Sequence, residues 1–304
     1  MTWVARIVDQ LAASPMWGYD AGAMPMSEPT GWAALALLGH GRPEAAQRAC
    51  DWLNNIRAPD GSVGISATET APQWPTGLAI LAWSAFDGQA DKPLYAAAIK
   101  NAAHWLLTLK GAVAPPANVG HDTMLIGWPW VESTHSWLEP TAWAVLALKA
   151  CGLGEHPRVR EGVRVMIDRL LPEGGCNYGN TFVLGQKLIA HLEPTGLVLA
   201  ALVGETDPSG RLAKTINFAA ESIGPTTTAA SLSYALIGLA AHGRTPTTAD
   251  AWLEGAVERT KRRPSAQLRL ALLAVAALGA KGPLITLPKE ALPKDTVSQE
   301  TAKP

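Results

Sequence analysis

Three glutamates occupy the same place in a recurring phrase and are the first candidates for chemistry. Glu28, Glu139 and Glu193 each stand directly before a Pro-Thr pair at the predicted start of an apolar helix. A carboxylate in this place can cap the helix, and it gains roughly 0.3–1 kcal/mol from the helix dipole. Burial in an apolar cavity, or repulsion between neighbouring carboxylates, would instead raise its pKa and make it a proton donor. The residues alone leave both interpretations open.

The longest connection in the chain precedes Glu139 and is chemically dense. Residues 121–143 gather two histidines, three acids and four tryptophans. Loops of this kind on a rigid scaffold often carry function, although a tryptophan-anchored loop could instead plug the fold. The further acid–base candidates in this stretch are Asp122, Glu132 and His135.

Two histidines lie close in sequence to two of the glutamates. His135 precedes Glu139 by four residues, and His191 precedes Glu193 by two. Such a pair could orient the acid or tune its pKa, and two pairs together could bind a metal. A histidine held by structural hydrogen bonds is the more common outcome. We therefore predict neither a metal site nor a cofactor.

Tryptophan is used far more than the other aromatic residues, with 12 Trp against 3 Phe and 4 Tyr. Aromatic faces bind apolar ligands and stabilise cations, but a tryptophan on a buried helix can also simply pack the core. The candidate substrate-binding residues are Trp32, Trp83 and Trp143 on apolar helices and Trp128, Trp130 and Trp137 in the long connection.

The elements that must position these residues form a repeat. A Thr, usually after Pro, is followed by an apolar, Leu-rich segment that is predicted to be a helix buried on all sides. Four strong and two weaker copies cover 28–37, 74–82, 139–148, 193–200, 228–241 and 265–279. Amphipathic segments with helical spacing alternate with them, at 3–13, 43–56, 93–109, 159–171, 209–222 and 249–262.

Six buried and six half-exposed helices predict an all-α fold of two concentric rings, an (α/α)6 toroid. An open solenoid is the alternative. However, the buried helices are too apolar to line an exposed concave face, and residues 3–13 could pair with residues 265–279 to close the ring. We expect little sheet, a toroid domain over residues 1–283, and a flexible tail over 284–304 that is rich in Pro, Lys and Thr.

The repeat resembles that of the squalene–hopene cyclase and protein prenyltransferase β-subunit family. Residues 141–148 look like the inner-helix signature of that family. The segments 14–19, 60–64 and 173–179 look like its glycine–aromatic turns. The resemblance implies a toroid with an isoprenoid, or another apolar small molecule or lipid, in its central cavity.

The catalytic motifs of that family are missing. The chain has neither the Asp-x-Asp-Asp acid motif of the cyclases nor the Asp-x-Cys zinc pair of the prenyltransferases. If Thr141 matches the Thr after the acid motif, Glu139 stands where the proton-donating Asp would be. The resemblance then implies proton-initiated cyclisation or isomerisation, with Glu139 as general acid and His135 or Glu132 as its tuner. A non-catalytic lipid-binding or protein-interaction toroid and a glycan-active hydrolase or lyase with paired carboxylates are the alternatives.

Composition excludes several other classes. The net charge of −1 and the lack of a large basic cluster argue against a nucleic-acid partner. The longest apolar run, residues 270–280, is too short to span a bilayer, and the first residues do not resemble a signal peptide. We expect a cytoplasmic protein whose few, widely spaced thiols stay reduced; these are Cys50, Cys151 and Cys176.

Overall fold

The computed structural model describes residues 2–115, 119–261 and 266–286. Those residues form twelve α-helices and one short β-hairpin, which confirms the all-α prediction. The apolar helices are α2 (Ser27–Gly39), α4 (Thr76–Asp87), α6 (Leu138–Ala150), α8 (Leu192–Ala201), α10 (Ala229–Ala241) and α12 (Gln267–Ala277). The amphipathic helices are α1 (Trp3–Ala13), α3 (Pro43–Asn55), α5 (Ala96–Thr108), α7 (Pro157–Asp168), α9 (Arg211–Ser222) and α11 (Ala249–Lys261). Strands β1 (Phe182–Val183) and β2 (Gln186–Lys187) pair antiparallel between α7 and α8.

The apolar helices form a closed inner ring. Each one packs on the next in chain order, and α12 packs back on α2. Helix α1 closes the outer ring, because it contacts α3, α11 and α12. The indole Nε1 of Trp3 donates a hydrogen bond to Asp250 at 3.1 Å, and Arg6 pairs with Glu258 at 3.4 Å. The (α/α)6 toroid is therefore present, and the open solenoid is excluded.

The two rings follow from the two hydrophobic patterns. Inner helices such as α2 and α6 bury side chains around their whole circumference, as expected for segments that lack a polar face. Outer helices bury one stripe only, which in α1 consists of Trp3, Ile7, Val8 and Leu11. Helices α8 and α10 approach most closely at two glycines, Gly196 and Gly238, where an added Cβ would collide with the backbone of the other helix.

The threonine of the repeated phrase ties each inner helix to the turn that precedes it. The amide of Trp128 donates to Thr141 Oγ1 at 2.9 Å, and the amide of Cys176 donates to Thr195 Oγ1 at 3.0 Å. In the same way, the amide of Val63 donates to Thr76 Oγ1 at 2.9 Å. In the first copy Thr30 Oγ1 donates to the Trp17 carbonyl at 3.1 Å. All four threonines are 0% exposed, so the phrase has an architectural role.

Two further predictions concern the chain as a whole. Among the described residues, no helix has the length and apolar character needed to cross a membrane. The predicted tail falls mostly outside the described residues, which end at residue 286.

Candidate functional site

The three glutamates of the repeated phrase lie together at one mouth of the inner ring. Each follows the first residue of an inner helix, Glu28 on α2, Glu139 on α6 and Glu193 on α8, and each is half-buried. The charges of Glu28 and Glu193 act on Glu139, and that of Glu193 acts on Glu28, so the three helix starts lie within electrostatic range of one another. Ser231, at the start of α10, donates a hydrogen bond to Glu193 Oε1 at 3.1 Å. The mouth is therefore a cluster of carboxylates that several separate repeats contribute.

Repulsion and burial change the acidity of this cluster. Burial, followed by the charges of Glu28 and Glu193, raises the pKa of Glu139 to about 7. Among the described residues Glu139 has no hydrogen-bond partner that would favour its charged form. Glu139 therefore keeps its proton for a substantial part of the time at neutral pH. Neither His135 nor Glu132, the expected tuners, contributes to this shift.

Glu28 is held by a tyrosine that the sequence did not identify as a candidate. The hydroxyl of Tyr19 donates to Glu28 Oε2 at 2.7 Å. Burial and the charge of Glu193 raise the pKa of Glu28, whereas the Tyr19 hydrogen bond opposes that rise. Tyr19 belongs to one of the glycine–aromatic turns, so the turn motif was the signal that could have identified it.

Aromatic side chains fill the axis of the ring below the carboxylates. The ring of Trp32 meets those of Trp143 and Tyr234 edge to face, with centroids 5.6 and 5.5 Å away. These three side chains are 0, 2 and 6% exposed. The charges of all three glutamates, after burial, raise the pKa of Tyr234, which places its hydroxyl near them. The predicted deep cavity is thus occupied at this level by the protein's own side chains.

Two of the predicted substrate-binding tryptophans have structural positions instead. Trp83 faces the outer ring, where its Nε1 donates to the Cys50 carbonyl at 3.0 Å and its ring stacks on Tyr95. Trp128 anchors the long connection, because its Nε1 donates to the Leu106 carbonyl at 2.8 Å. The Arg158 guanidinium lies 3.9 Å from the centre of the Trp128 ring. Both indoles are fully buried against protein atoms, so neither presents a free ring face in this structure.

The remaining tryptophans lie on the rim of the mouth. Trp130 packs edge to face on Trp74 with centroids 5.2 Å apart, and both are half-buried. Trp74 stands two residues before Thr76, which is the place that glutamate takes in the other strong copies. Trp137 directly precedes α6 and lies 4.5 Å from the ring of His135. Tyr178 lies near the same carboxylates, since its pKa is raised by burial and then by the charges of Glu193 and Glu139.

The other predicted acid–base residues lie away from the carboxylates or have other partners. Asp122 is exposed, and its Oδ1 accepts a hydrogen bond from the amide of Met124 at 2.8 Å, so it shapes the loop. Glu132 is exposed and borders a separate cavity of 320 Å³. His191 packs on the ring of Tyr178, with centroids 5.1 Å apart, and makes no pair with Glu193. Within the described residues, no group of three or more His, Cys, Asp or Glu side chains could hold a metal ion.

Solved structures share this fold, although no protein-family profile and no curated protein matches the sequence. An α-amylase from Clostridium perfringens is 13% identical, with 91% of this chain and 96% of that chain covered and a TM-score of 0.61. The endo-β-1,4-glucanase CMCax from Acetobacter xylinum is 14% identical, with 92 and 98% covered and a TM-score of 0.59. The type II terpene cyclase MstE from Scytonema is 18% identical over 71% of this chain and 60% of that chain, with a TM-score of 0.45. The likeness to the amylase and the glucanase establishes the α/α toroid fold and no more.

Proposed function

We propose that the mouth of the ring binds a carbohydrate chain and hydrolyses a glycosidic bond, with Glu139 as the general acid. The observation that carries this proposal is a cluster of three carboxylates, one with its pKa raised to about 7, inside a rim of aromatic side chains. Glycoside hydrolysis needs one carboxyl group that holds a proton and a second that stays ionised. The half-exposed rings of the rim offer apolar faces on which the C–H faces of sugar rings can stack.

The acidity of Glu139 suits proton transfer to oxygen. A general acid works best when its pKa lies near the working pH. The bridging oxygen of a glycoside becomes basic as its bond to the anomeric carbon breaks, so an acid with a pKa of about 7 can protonate it. An isolated carbon–carbon double bond is a much weaker base and needs a much stronger acid. This argument favours glycan chemistry over the isoprenoid cyclisation that the family resemblance implied.

Each of the other two carboxylates has a place in the proposed step. Glu139 gives its proton to the bridging oxygen, and the leaving sugar departs with it. The oxygen of a water molecule bonds to the anomeric carbon, while Glu193 accepts the proton that this water loses. The Ser231 hydroxyl holds Glu193 in position for that role. Glu28, bonded to Tyr19, keeps the proton on Glu139 before the reaction through its negative charge.

Both the depth of the site and the fold support this choice. Because Trp32, Trp143 and Tyr234 are buried against one another below the carboxylates, we place the carbohydrate chain at the mouth and not inside the ring. Two proteins that share this fold, an α-amylase and an endo-β-1,4-glucanase, are also named for glycan chemistry.

The test is hydrolysis of defined oligosaccharides. Purified protein is incubated with maltohexaose or cellohexaose, and new reducing ends are measured between pH 4 and pH 9. We expect cleavage of one class, with activity falling above about pH 7 as Glu139 loses its proton. Glu139→Gln should lower the rate by about 10²- to 10⁴-fold. Glu132→Gln, on the exposed loop, is the matched control and should keep full activity. Equal rates for wild type and Glu139→Gln would remove Glu139 from this role.

The buried aromatic cluster favours a second candidate, acid-initiated isoprenoid chemistry. Trp32, Trp143 and Tyr234 lie under the protonated acid, and aromatic faces stabilise carbocations. Incubation with squalene or geranylgeranyl diphosphate, followed by mass spectrometry, tests it directly. An isoprenoid product that Glu139→Gln does not make, together with no cleavage of either oligosaccharide, would replace the glycan proposal.

A further inference from the structure

A second concave site lies outside the carboxylate cluster, between the connection that precedes α6 and the β1–β2 hairpin. Its volume is 720 Å³, within the range of sites that hold a small organic ligand. Much of its wall is apolar and comes from Val113 on one side and Phe182 and Val183 on the other. Its polar groups converge from His121, His135 and Arg169.

Arg169 is the unusual member of this wall. The residue is only 5% exposed, and its Nη1 donates to the Ser136 carbonyl at 2.7 Å. Its Nε is buried without a hydrogen-bond partner, and within the described residues Arg169 makes no salt bridge. A buried guanidinium without a paired anion is costly, so the structure carries a cationic group that an anion from outside would satisfy. The Nε–Nη2 edge of a guanidinium matches the two oxygens of a carboxylate.

The surroundings of Arg169 set the charge of that anion. Burial lowers the pKa of Arg169, whereas Asp168 and Asp122 oppose that fall from beyond salt-bridge distance. Asp168 Oδ2 already accepts a hydrogen bond from the amide of Asp122 at 2.9 Å. Burial and the charge of Arg169 lower the pKa of both His121 and His135. Both imidazoles are therefore mostly neutral at pH 7, so Arg169 is the cationic group of this wall. One guanidinium with two carboxylates nearby fits a monoanion better than a phosphate dianion.

The hairpin beside this site presents apolar side chains to solvent. Leu184 at its tip is 97% exposed and Val183 is 39% exposed. Val113, on the opposite wall, is 46% exposed. Exposed apolar side chains grouped around a cavity are typical of ligand sites. Here they would cover an aliphatic chain whose polar end is buried.

From these observations we infer that this site binds an amphiphilic carboxylate, with the carboxylate on Arg169 and the aliphatic chain along Val113, Phe182 and Val183. The inference is independent of glycan hydrolysis, because none of the three mouth glutamates lines this cavity.

Titration calorimetry with dodecanoate, kept below its micelle concentration, tests the inference. We expect wild type to bind one dodecanoate per chain, and 1-dodecanol and dodecyltrimethylammonium to bind at least tenfold more weakly. Arg169→Lys keeps the charge but loses the planar edge and should weaken binding at least tenfold. Arg164→Lys, which changes an exposed arginine on α7, the helix that Arg169 directly follows, is the matched control and should bind as wild type does.

A second variant keeps the test decisive if Arg169→Lys does not fold. Val183→Asp changes a partly exposed side chain of the hairpin and should also weaken dodecanoate binding at least tenfold. The inference is overturned if wild type does not bind dodecanoate, if dodecanol binds equally well, or if Val183→Asp has no effect. Loss of binding in Glu139→Gln, with Arg169→Lys folded and binding normally, would move the ligand to the mouth and overturn it as well.

Discussion

Two positions of the repeated phrase, two residues apart, behave in opposite ways. The threonines Thr30, Thr76, Thr141 and Thr195 are all fully buried, and the hydroxyl of each is hydrogen-bonded to the backbone of the turn before it. The glutamates differ from copy to copy: Glu28 is bonded to Tyr19, Glu193 to Ser231, and Glu139 to no described residue. Just before α4, Trp74 stands in the place of the glutamate, whereas the hydrogen bond between Thr76 and Val63 is kept. The repeat thus separates the residue that builds the ring from the residue that can vary its chemistry.

The largest effect on stability should come from the pH dependence at Glu139. Its pKa is raised to about 7 in the folded protein from an ordinary 4.5, so the folded state binds the proton more tightly than the unfolded state. The free energy of unfolding should therefore fall by about 2–3 kcal/mol as the pH rises from about 4.5 to 7, and then level off. Urea denaturation at a series of pH values measures this slope.

In Glu139→Gln the fall should be shallower, without vanishing, because the pKa of Glu28 is also raised. Glu132→Gln, on an exposed loop, should follow the wild-type curve. If the free energy of unfolding depended on pH equally in Glu139→Gln and wild type, the pKa of Glu139 would not be raised in the folded protein. The proposed difference between the glutamate and threonine positions would then be wrong.

The next effect should come from the threonine position. Thr141→Val leaves the buried amide of Trp128 without its acceptor, which should cost about 1–3 kcal/mol at any pH. The midpoint of urea unfolding at fixed pH is the measurement. Thr134→Val removes an exposed hydroxyl of the same connection and should cost much less. Similar losses in the two variants would show that the buried bond has no special importance.

The smallest effect should come from Ser231→Ala, which removes the hydrogen bond to Glu193. The expected loss is about 1 kcal/mol, since the bond is partly buried and one partner is a carboxylate. Ser222→Ala, at the exposed end of α9, is the comparison and should lie within about 0.5 kcal/mol of wild type. If Ser231→Ala were as stable as Ser222→Ala, the hydrogen bond between Ser231 and Glu193 would make no measurable contribution to stability.

The ring itself was predictable from sequence because two kinds of helix have two kinds of hydrophobic pattern. Residues 3–13 were predicted from helical spacing and form α1 with the same bounds. The starts of α2, α6 and α8, each one residue before its glutamate, followed from the Pro-Thr start signal. These features depend on local sequence and on the parallel order of the repeats.

The direction of individual side chains was not predictable in the same way. An inner helix is apolar on every side, so its sequence does not indicate whether Trp83 faces the axis or the outer ring. Trp128 lies in the connection before α6, and its ring packs on Arg158 of α7. The cavity beside the hairpin depends on Arg169, which follows α7 in a segment with no local signal for a binding site. In each case the decisive contact is long-range, and packing alone determines it.

The hydrogen bond between Trp3 and Asp250 joins residues 247 positions apart, and it has a consequence for acidity. Glu28 belongs to the first inner helix and Glu193 to the fourth. Their carboxylates therefore come close enough to repel each other only when the ring is closed. A toroid held open at that seam would remove the part of the Glu139 pKa shift that comes from repulsion and leave the larger part, which comes from burial. The repulsion that raises the pKa of Glu139 thus depends on the closed ring, because the carboxylates that cause it come from separate helix pairs.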